Sequence, residues 1–286
     1  MRTFILYFCL LGLIGLTACD KEEVPAPVLN RLTKVTCYEQ GAASPVFTAT
    51  ISYNDPDGRI NSIRLAGEES GEWLFMYADG KLLVTSMQST STTTEYGLSG
   101  EVIVSRKISR ENEQVSHAVY VSDEFSYHYN GSKLAYTSWI TTWPVSGGGY
   151  ESRTYGEYAR YTWENNNIVL FAQSQDAREM RYEYGTQLRP ANFPLRVIGS
   201  YEPVGFEAVS PLNLLYGQAS QCLPVRAYTY AVPNATQTLA EYTYNYVTMG
   251  DYISQMTIDV HLHGESDDSE LVKQYAYMFE YNYAKP

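Results

Sequence analysis

The sequence predicts an all-β protein: a large antiparallel meander of repeated hairpins forming a curved or barrel-like sheet. Three observations carry this. Helical periodicity is almost absent after residue 30, short runs of Tyr, Val, Ile, Thr and Phe alternate with Gly, Asn and Asp clusters, and the 27 tyrosines concentrate in those runs. Aromatic and β-branched residues fit a pleated, half-buried surface, whereas Gly, Asn and Asp tolerate the backbone of tight turns.

The first element is a targeting segment. Arg2, the uncharged apolar run 4–16 and the ending Leu16-Thr17-Ala18-Cys19 have the layout of an export signal. The run falls short of the roughly 20 residues a helix needs to cross a bilayer, so residues 1–18 are expected to be removed. Leu, then small residues, then Cys is the pattern of a bacterial lipobox and predicts a lipid on Cys19; an ordinary secretory signal with an incidental Cys is the alternative. Acylation of this kind exceeds what stable anchoring requires, so a membrane is the expected partner at this end. Residues 19–30 follow, with Asp20-Lys21-Glu22-Glu23 and then Val24-Pro25-Ala26-Pro27. Charge and proline predict a solvated, semi-extended tether.

Residues 31–286 read as one domain. A weak internal repeat runs through it, in which an aromatic strand enters a polar turn and an aliphatic strand leaves it. Copies lie at 51–60, 75–82, 125–134 and 161–169, with Asp-Gly, Asn-Gly or Asn-Asn at the turn. These residues accept the positive φ of two-residue hairpins, so each copy is one hairpin. The polar stretches 90–94 and 145–149 are expected to be loops. In the last segment Tyr275, Tyr277, Phe279, Tyr281 and Tyr283 occupy alternate positions and so share one strand face. Tyr242, Tyr244 and Tyr246 repeat the pattern, as do the pairs Tyr127/Tyr129, Tyr182/Tyr184 and Tyr228/Tyr230. A lone hairpin is marginal, so the copies must pair side by side.

The lipobox, the turn Tyr53-Asn54-Asp55-Pro56-Asp57-Gly58-Arg59-Ile60, the aromatic-turn-aliphatic repeats and the closing Tyr-x-Phe-x-Tyr strand together resemble a family of Bacteroides-type lipoproteins. Those proteins carry a domain of unknown function described as porin-like. The resemblance covers roughly residues 32–286 and implies a meandering, porin-like sheet with no activity attached. The acidic run 20–23 also resembles the surface-export signal of such lipoproteins, a plain soluble spacer being the alternative. The expected location is the outer membrane, on its periplasmic face or at the cell surface. A pore is not expected: a membrane-spanning barrel confines aromatics to two girdles flanking an outward aliphatic band, and here Tyr runs the length of the strands.

Charge and cysteines narrow the partners. A formal net charge of −12 argues against nucleic acid and anionic headgroups. Cys9 leaves with the signal and Cys19 takes the lipid, so Cys37 and Cys222 remain in an oxidising compartment. Such leftovers are usually paired, which predicts a Cys37 to Cys222 disulfide, with two separate buried thiols as the alternative.

Motifs for chemistry are sparse, and neither a catalytic residue nor a cofactor is predicted. His261 and His263 share a strand face beside 267–270 but lack a third ligand at metal-site spacing, so no metal is expected. Glu157, Glu164, Glu179 and Glu183 offer only the carboxylates any acidic β-protein has. The domain is therefore read as a non-enzyme. Trp139 and Trp143 lie four apart and share a face on an extended strand, with Tyr136 one position out of phase. A flat aromatic face beside polar groups suits a sugar ring, so a glycan is one candidate ligand; the competing reading makes these rings core or cross-strand ladder. An envelope-assembly protein that binds another protein through a sheet edge is the functional alternative.

Overall fold

The computed structural model describes residues 31–54, 58–67, 70–87, 92–111, 119–146, 148–174, 178–195, 205–230, 238–263 and 269–282. Cys19, the signal 1–18 and the tether 19–30 lie outside the described residues. Among those described, sixteen strands follow one another around a closed antiparallel barrel. They are β1 (Arg31–Glu39), β2 (Phe47–Tyr53), β3 (Ile60–Gly67), β4 (Gly71–Ala78), β5 (Lys81–Ser86), β6 (Thr92–Ser99), β7 (Val102–Glu111) and β8 (Val119–Asn130). The second half holds β9 (Lys133–Pro144), β10 (Tyr150–Glu164), β11 (Asn167–Gln173), β12 (Arg178–Leu188), β13 (Cys222–Tyr230), β14 (Thr238–Met249), β15 (Tyr252–His263) and β16 (Ser269–Asn282). Each strand pairs with its sequence neighbours, and β1 closes on β16 in the register Val35 to Phe279 and Cys37 to Tyr277. Closure leaves no free edge on which another chain could add a strand.

An up-and-down meander puts alternate turns at opposite ends. The lower end, where β1 begins and β16 finishes, has two-residue hairpins such as Asp79-Gly80, with φ of 45° and 76°, and Asn165-Asn166, with φ of 47° and 61°. Positive φ at both positions matches the twist of the flanking strands. Apart from 54–59 and the β12 to β13 connection, both at the lower end, the longer connections lie at the upper end, including 145–149. The threonines at 92–94, expected in a loop, belong to β6, where their β-branched side chains suit the pleat.

Inside, the alternation expected for β16 holds, with Tyr277, Phe279 and Tyr281 buried. Tyr242 and Tyr244 are likewise buried on β14. Tyr228 and Tyr230 share a face as expected, but it is the outer one: Ala227 and Thr229 fill the inward positions of β13, and Tyr230 lies under the Arg181 guanidinium at 4.1 Å.

The sequence repeat has a structural counterpart at the lower rim. In each copy the aromatic pairs across its hairpin with the aliphatic: Tyr53 with Ile60, Tyr77 with Leu82, Tyr129 with Leu134 and Trp163 with Ile168. The ring then reaches back to the preceding strand. Tyr53 Oη donates to the Leu32 carbonyl, Tyr129 Oη to Ile103, Trp163 Nε1 to Leu134 and Tyr184 Oη to Ile168, each at 2.7 Å, and Tyr246 Oη to Pro224 at 2.9 Å. The result is a girdle that knits one hairpin to the next. Each such ring stabilises by roughly 1.5–3 kcal/mol through burial and about 1 kcal/mol through its hydrogen bond. Burial also pushes the Tyr53 phenol up to about 12, against the opposing pull of Arg31.

A barrel this wide needs filling, and the connection from β12 to β13 fills it. Phe193 packs on Tyr246 and Phe279, Phe206 on Phe47, and Tyr216 on Tyr127, so 189–221 touches inward residues of β2, β8, β14 and β16. Two short 3-10 turns, Phe206–Val209 and Pro211–Leu215, are held together by the Asn213 amide, which donates to the Pro194 and Glu207 carbonyls at 2.9 and 3.0 Å. The Gly205 N–H donates to Tyr277 Oη at 2.9 Å, fastening the insert to the wall. Arg189, at the entry, donates to the Phe193 carbonyl, and burial lowers its pKa to about 10 while the Tyr184 and Tyr246 phenols oppose the fall.

The outer face is built for water. Cross-strand ion pairs join Lys34 to Glu280, Arg64 to Glu72, Lys81 to Glu95 and Lys107 to Glu124 at 2.6–3.0 Å. Exposed pairs of this kind add little stability, and they interrupt the outward apolar band that a transmembrane barrel carries. Most of the buried residues are aromatic or aliphatic, and these ion pairs lie on the outer face.

Candidate ligand-binding site at the barrel mouth

Strands β7 to β10 are longer than β2 to β6, and their upper halves form one wall of the upper end of the barrel, here called the mouth. Register sorts the inward side chains of this wall into rows. The lowest row is Arg106, Phe125, Trp139 and Tyr155, each directly opposite the next. The rings form a ladder: Phe125 stacks on Trp139 at 5.9 Å, Trp139 on Tyr155 at 4.7 Å, and guanidinium groups close both ends, Arg106 at 4.5 Å over Phe125 and Arg153 at 4.9 Å over Tyr155. Each ring contact adds roughly 0.5–1.5 kcal/mol beyond burial.

The second row is Ile108, Asp123, Thr141 and Arg153, and above it Trp143 stands opposite Glu151. Asp123 is 9% exposed and has both oxygens engaged, one by Trp139 Nε1 at 3.1 Å and one by Arg110 at 3.0 Å. Exposure increases upward, and Glu151 and Arg153 are open to solvent. Beneath the ladder, the Arg106 Nε is buried without a hydrogen-bond partner among the described residues. Burial opposes its charge, but the phenols of Tyr127, Tyr216 and Tyr96 and the Glu207 carboxylate outweigh that and hold its pKa above the usual value.

The sequence-flagged residues separate here. Trp139 is a ladder residue with both faces covered. Trp143 shares its wall two rows higher, with no ring stacked on it among the described residues. Tyr136 faces outward and stacks on His128 at 4.2 Å, where His128 Nε2 shares a hydrogen bond with Ser138 Oγ at 3.0 Å. The rows join four strands, so Asp123, Phe125, Glu151, Arg153 and Tyr155 have no local sequence spacing that could have marked them.

The expected disulfide is not formed: Cys37 and Cys222 are both free thiols. β1 and β13 are separated by β16, β15 and β14, which at about 4.8 Å per pairing holds the two cysteines far beyond bridging range. Burial pushes the Cys37 thiol up to about 12, and the Tyr277 hydroxyl acts in the opposite direction. Among the described residues no three of His, Cys, Asp and Glu gather as a metal site, and Glu157 and Glu179 are tied to Arg160 and Arg181.

The model of the family described as Domain of unknown function (DUF5032) matches residues 19–285. The chain belongs to this family. The DUF5032 barrel is similar to the crystal structure of a porin-like protein from Bacteroides uniformis ATCC 8492, with TM-score 0.57 and 17% identity over 87% of this chain and 98% of that one. It is also similar to a porin-like protein from Bacteroides vulgatus ATCC 8482, with TM-score 0.52 and 14% identity over 89% and 99%. At these identities the likeness is one of fold, and it bears out the porin-like sheet that the sequence resemblance implied. No curated protein matches the chain.

Proposed function

We propose that this protein is a lipid-tethered, non-catalytic component of the cell envelope that holds a glycan at its open mouth. The observation that carries the reading is the wall of the mouth, where Trp143 and Glu151 stand above the polar row of Asp123, Thr141 and Arg153. A sugar ring needs such an alternation, an aromatic face for its apolar C–H surface and polar groups for its hydroxyls. The filled lumen below and the charged exterior fit a soluble binding body better than a conduit. Asp123, engaged at both oxygens, is poorly placed to move protons, which fits binding without turnover.

β1 enters the barrel at the lower rim, the end opposite the mouth. The membrane is read as the outer membrane, with either the periplasm or the cell exterior in front of the mouth. A panel of oligosaccharides titrated into the purified protein, read by Trp fluorescence, tests the proposal. Saturable binding to a defined glycan is expected, and silence across the panel would contradict it.

A further inference from the structure

The chain as a whole is strongly acidic, with 32 Asp and Glu against 20 Lys and Arg. The mouth wall reverses this balance. Among the described residues its rows hold Arg106, Arg110 and Arg153 against Asp123 and Glu151. Asp123 is spent on Trp139 and Arg110, and Arg106 lies below the ladder among phenols and Glu207. What remains toward solvent beside Trp143 is one guanidinium, Arg153, and one carboxylate, Glu151.

Resting on the mouth as the binding site, we propose that its ligand is a glycan bearing carboxylate groups, a uronic-acid polymer in chemical class, and that Arg153 reads the carboxylate. Arg153 is placed for this by Tyr155, whose ring lies 4.9 Å beneath its Cζ. The ring contact holds the guanidinium in place, and its planar fork matches a carboxylate through two parallel hydrogen bonds. Arg153 and Glu151 point to the same side of β10, about 7 Å apart at the rise of a strand, a spacing comparable to one sugar ring. A ring seated on Trp143, opposite Glu151, therefore has a hydroxyl partner on one side and a carboxylate fork on the other. Glu151 repels a carboxylate turned the wrong way, which fixes the direction of the chain. The surrounding negative charge of the protein opposes capture from a distance, so selectivity arises at contact.

The test is calorimetric titration of the purified protein with galacturonate, glucuronate and mannuronate hexamers and with their neutral counterparts, repeated on Arg153→Gln, Arg153→Lys and Trp143→Ala. At least one uronate is expected to bind about tenfold or more tightly than its neutral counterpart, with the advantage shrinking as salt rises. Arg153→Gln removes the advantage and brings each uronate to the affinity of its neutral counterpart, while Arg153→Lys retains part of it, because charge survives and the fork does not. Neutral sugars bound as well as uronates, or a preference that survives in Arg153→Gln, would overturn the assignment of Arg153 while Trp143-dependent binding upheld the mouth. No binding by any hexamer would overturn both.

Discussion

The lower rim and the mouth use the same aromatic residues to opposite ends. At the rim, Tyr53, Tyr129, Trp163, Tyr184 and Tyr246 turn inward and direct each polar atom at a backbone carbonyl of the preceding strand. At the mouth, Phe125, Trp139 and Tyr155 spread as a ladder along the wall, with Asp123, Arg153 and Trp143 in the rows above. The rim satisfies its polar groups internally. The mouth leaves Arg153 and Glu151 exposed and the Trp143 ring half-buried, with no ring stacked on it among the described residues. The same residue types therefore serve as structure where the backbone completes them and as a recognition surface where it does not.

Removing a girdle ring is the strongest way to break the contrast. Trp163→Ala should cost about 3–5 kcal/mol in denaturant unfolding, the range for a large aromatic lost from a packed site, and should weaken any ligand only through unfolding. A smaller loss would mean that the girdle is ornamental.

Alkaline titration distinguishes the regions next. The folded pKa of Tyr53 stands at about 12, above the ordinary 10 of an unfolded tyrosine. Its contribution is therefore complete below pH 10 and is lost as pH rises from 10 through 12. That loss amounts to about 2–3 kcal/mol at the upper end of the window. Denaturant midpoints measured across this window should fall, and Tyr53→Phe should flatten the fall. Tyr129→Phe makes the gentler cut: it keeps the ring and removes its donation to Ile103, so unfolding free energy should drop by about 1 kcal/mol with ligand affinity unchanged.

Much of this division was legible in the sequence because it is local. The hairpin turns, the inward face of β16 and the copies of the repeat all follow from spacings within one or two strands. The hydrogen bonds that give the repeat its purpose were not legible, because each joins residues of different strands, such as Trp163 and Leu134. The insert was hidden for another reason. Residues 189–221 alternate neither as strand nor as helix and contain Pro190, Pro194, Pro203 and Pro211, so their sequence marks no element, yet Phe193 and Val209 are fully buried. Nothing in a local pattern says that a loop turns into a barrel.

The site divides in the same way. Spacing alone placed Trp139 and Trp143 on one face and Tyr136 on the other, and it could not tell which tryptophan would be covered. That depends on Phe125 and Tyr155, which approach from neighbouring strands. The Cys37 to Cys222 expectation failed for the same reason, since compartment and count say nothing about where β1 and β13 stand in the closed order.

The most direct test of the whole account compares Trp139→Ala with Trp143→Ala in one experiment that records unfolding free energy and glycan binding together. The ladder position predicts that Trp139→Ala loses about 3 kcal/mol, having two stacked faces and the hydrogen bond to Asp123 to lose. The half-buried position, with no ring stacked on it among the described residues, predicts that Trp143→Ala loses about 1 kcal/mol, well short of Trp139→Ala, and no longer binds. A Trp143→Ala variant that binds normally, or one that unfolds as readily as Trp139→Ala, would contradict the account.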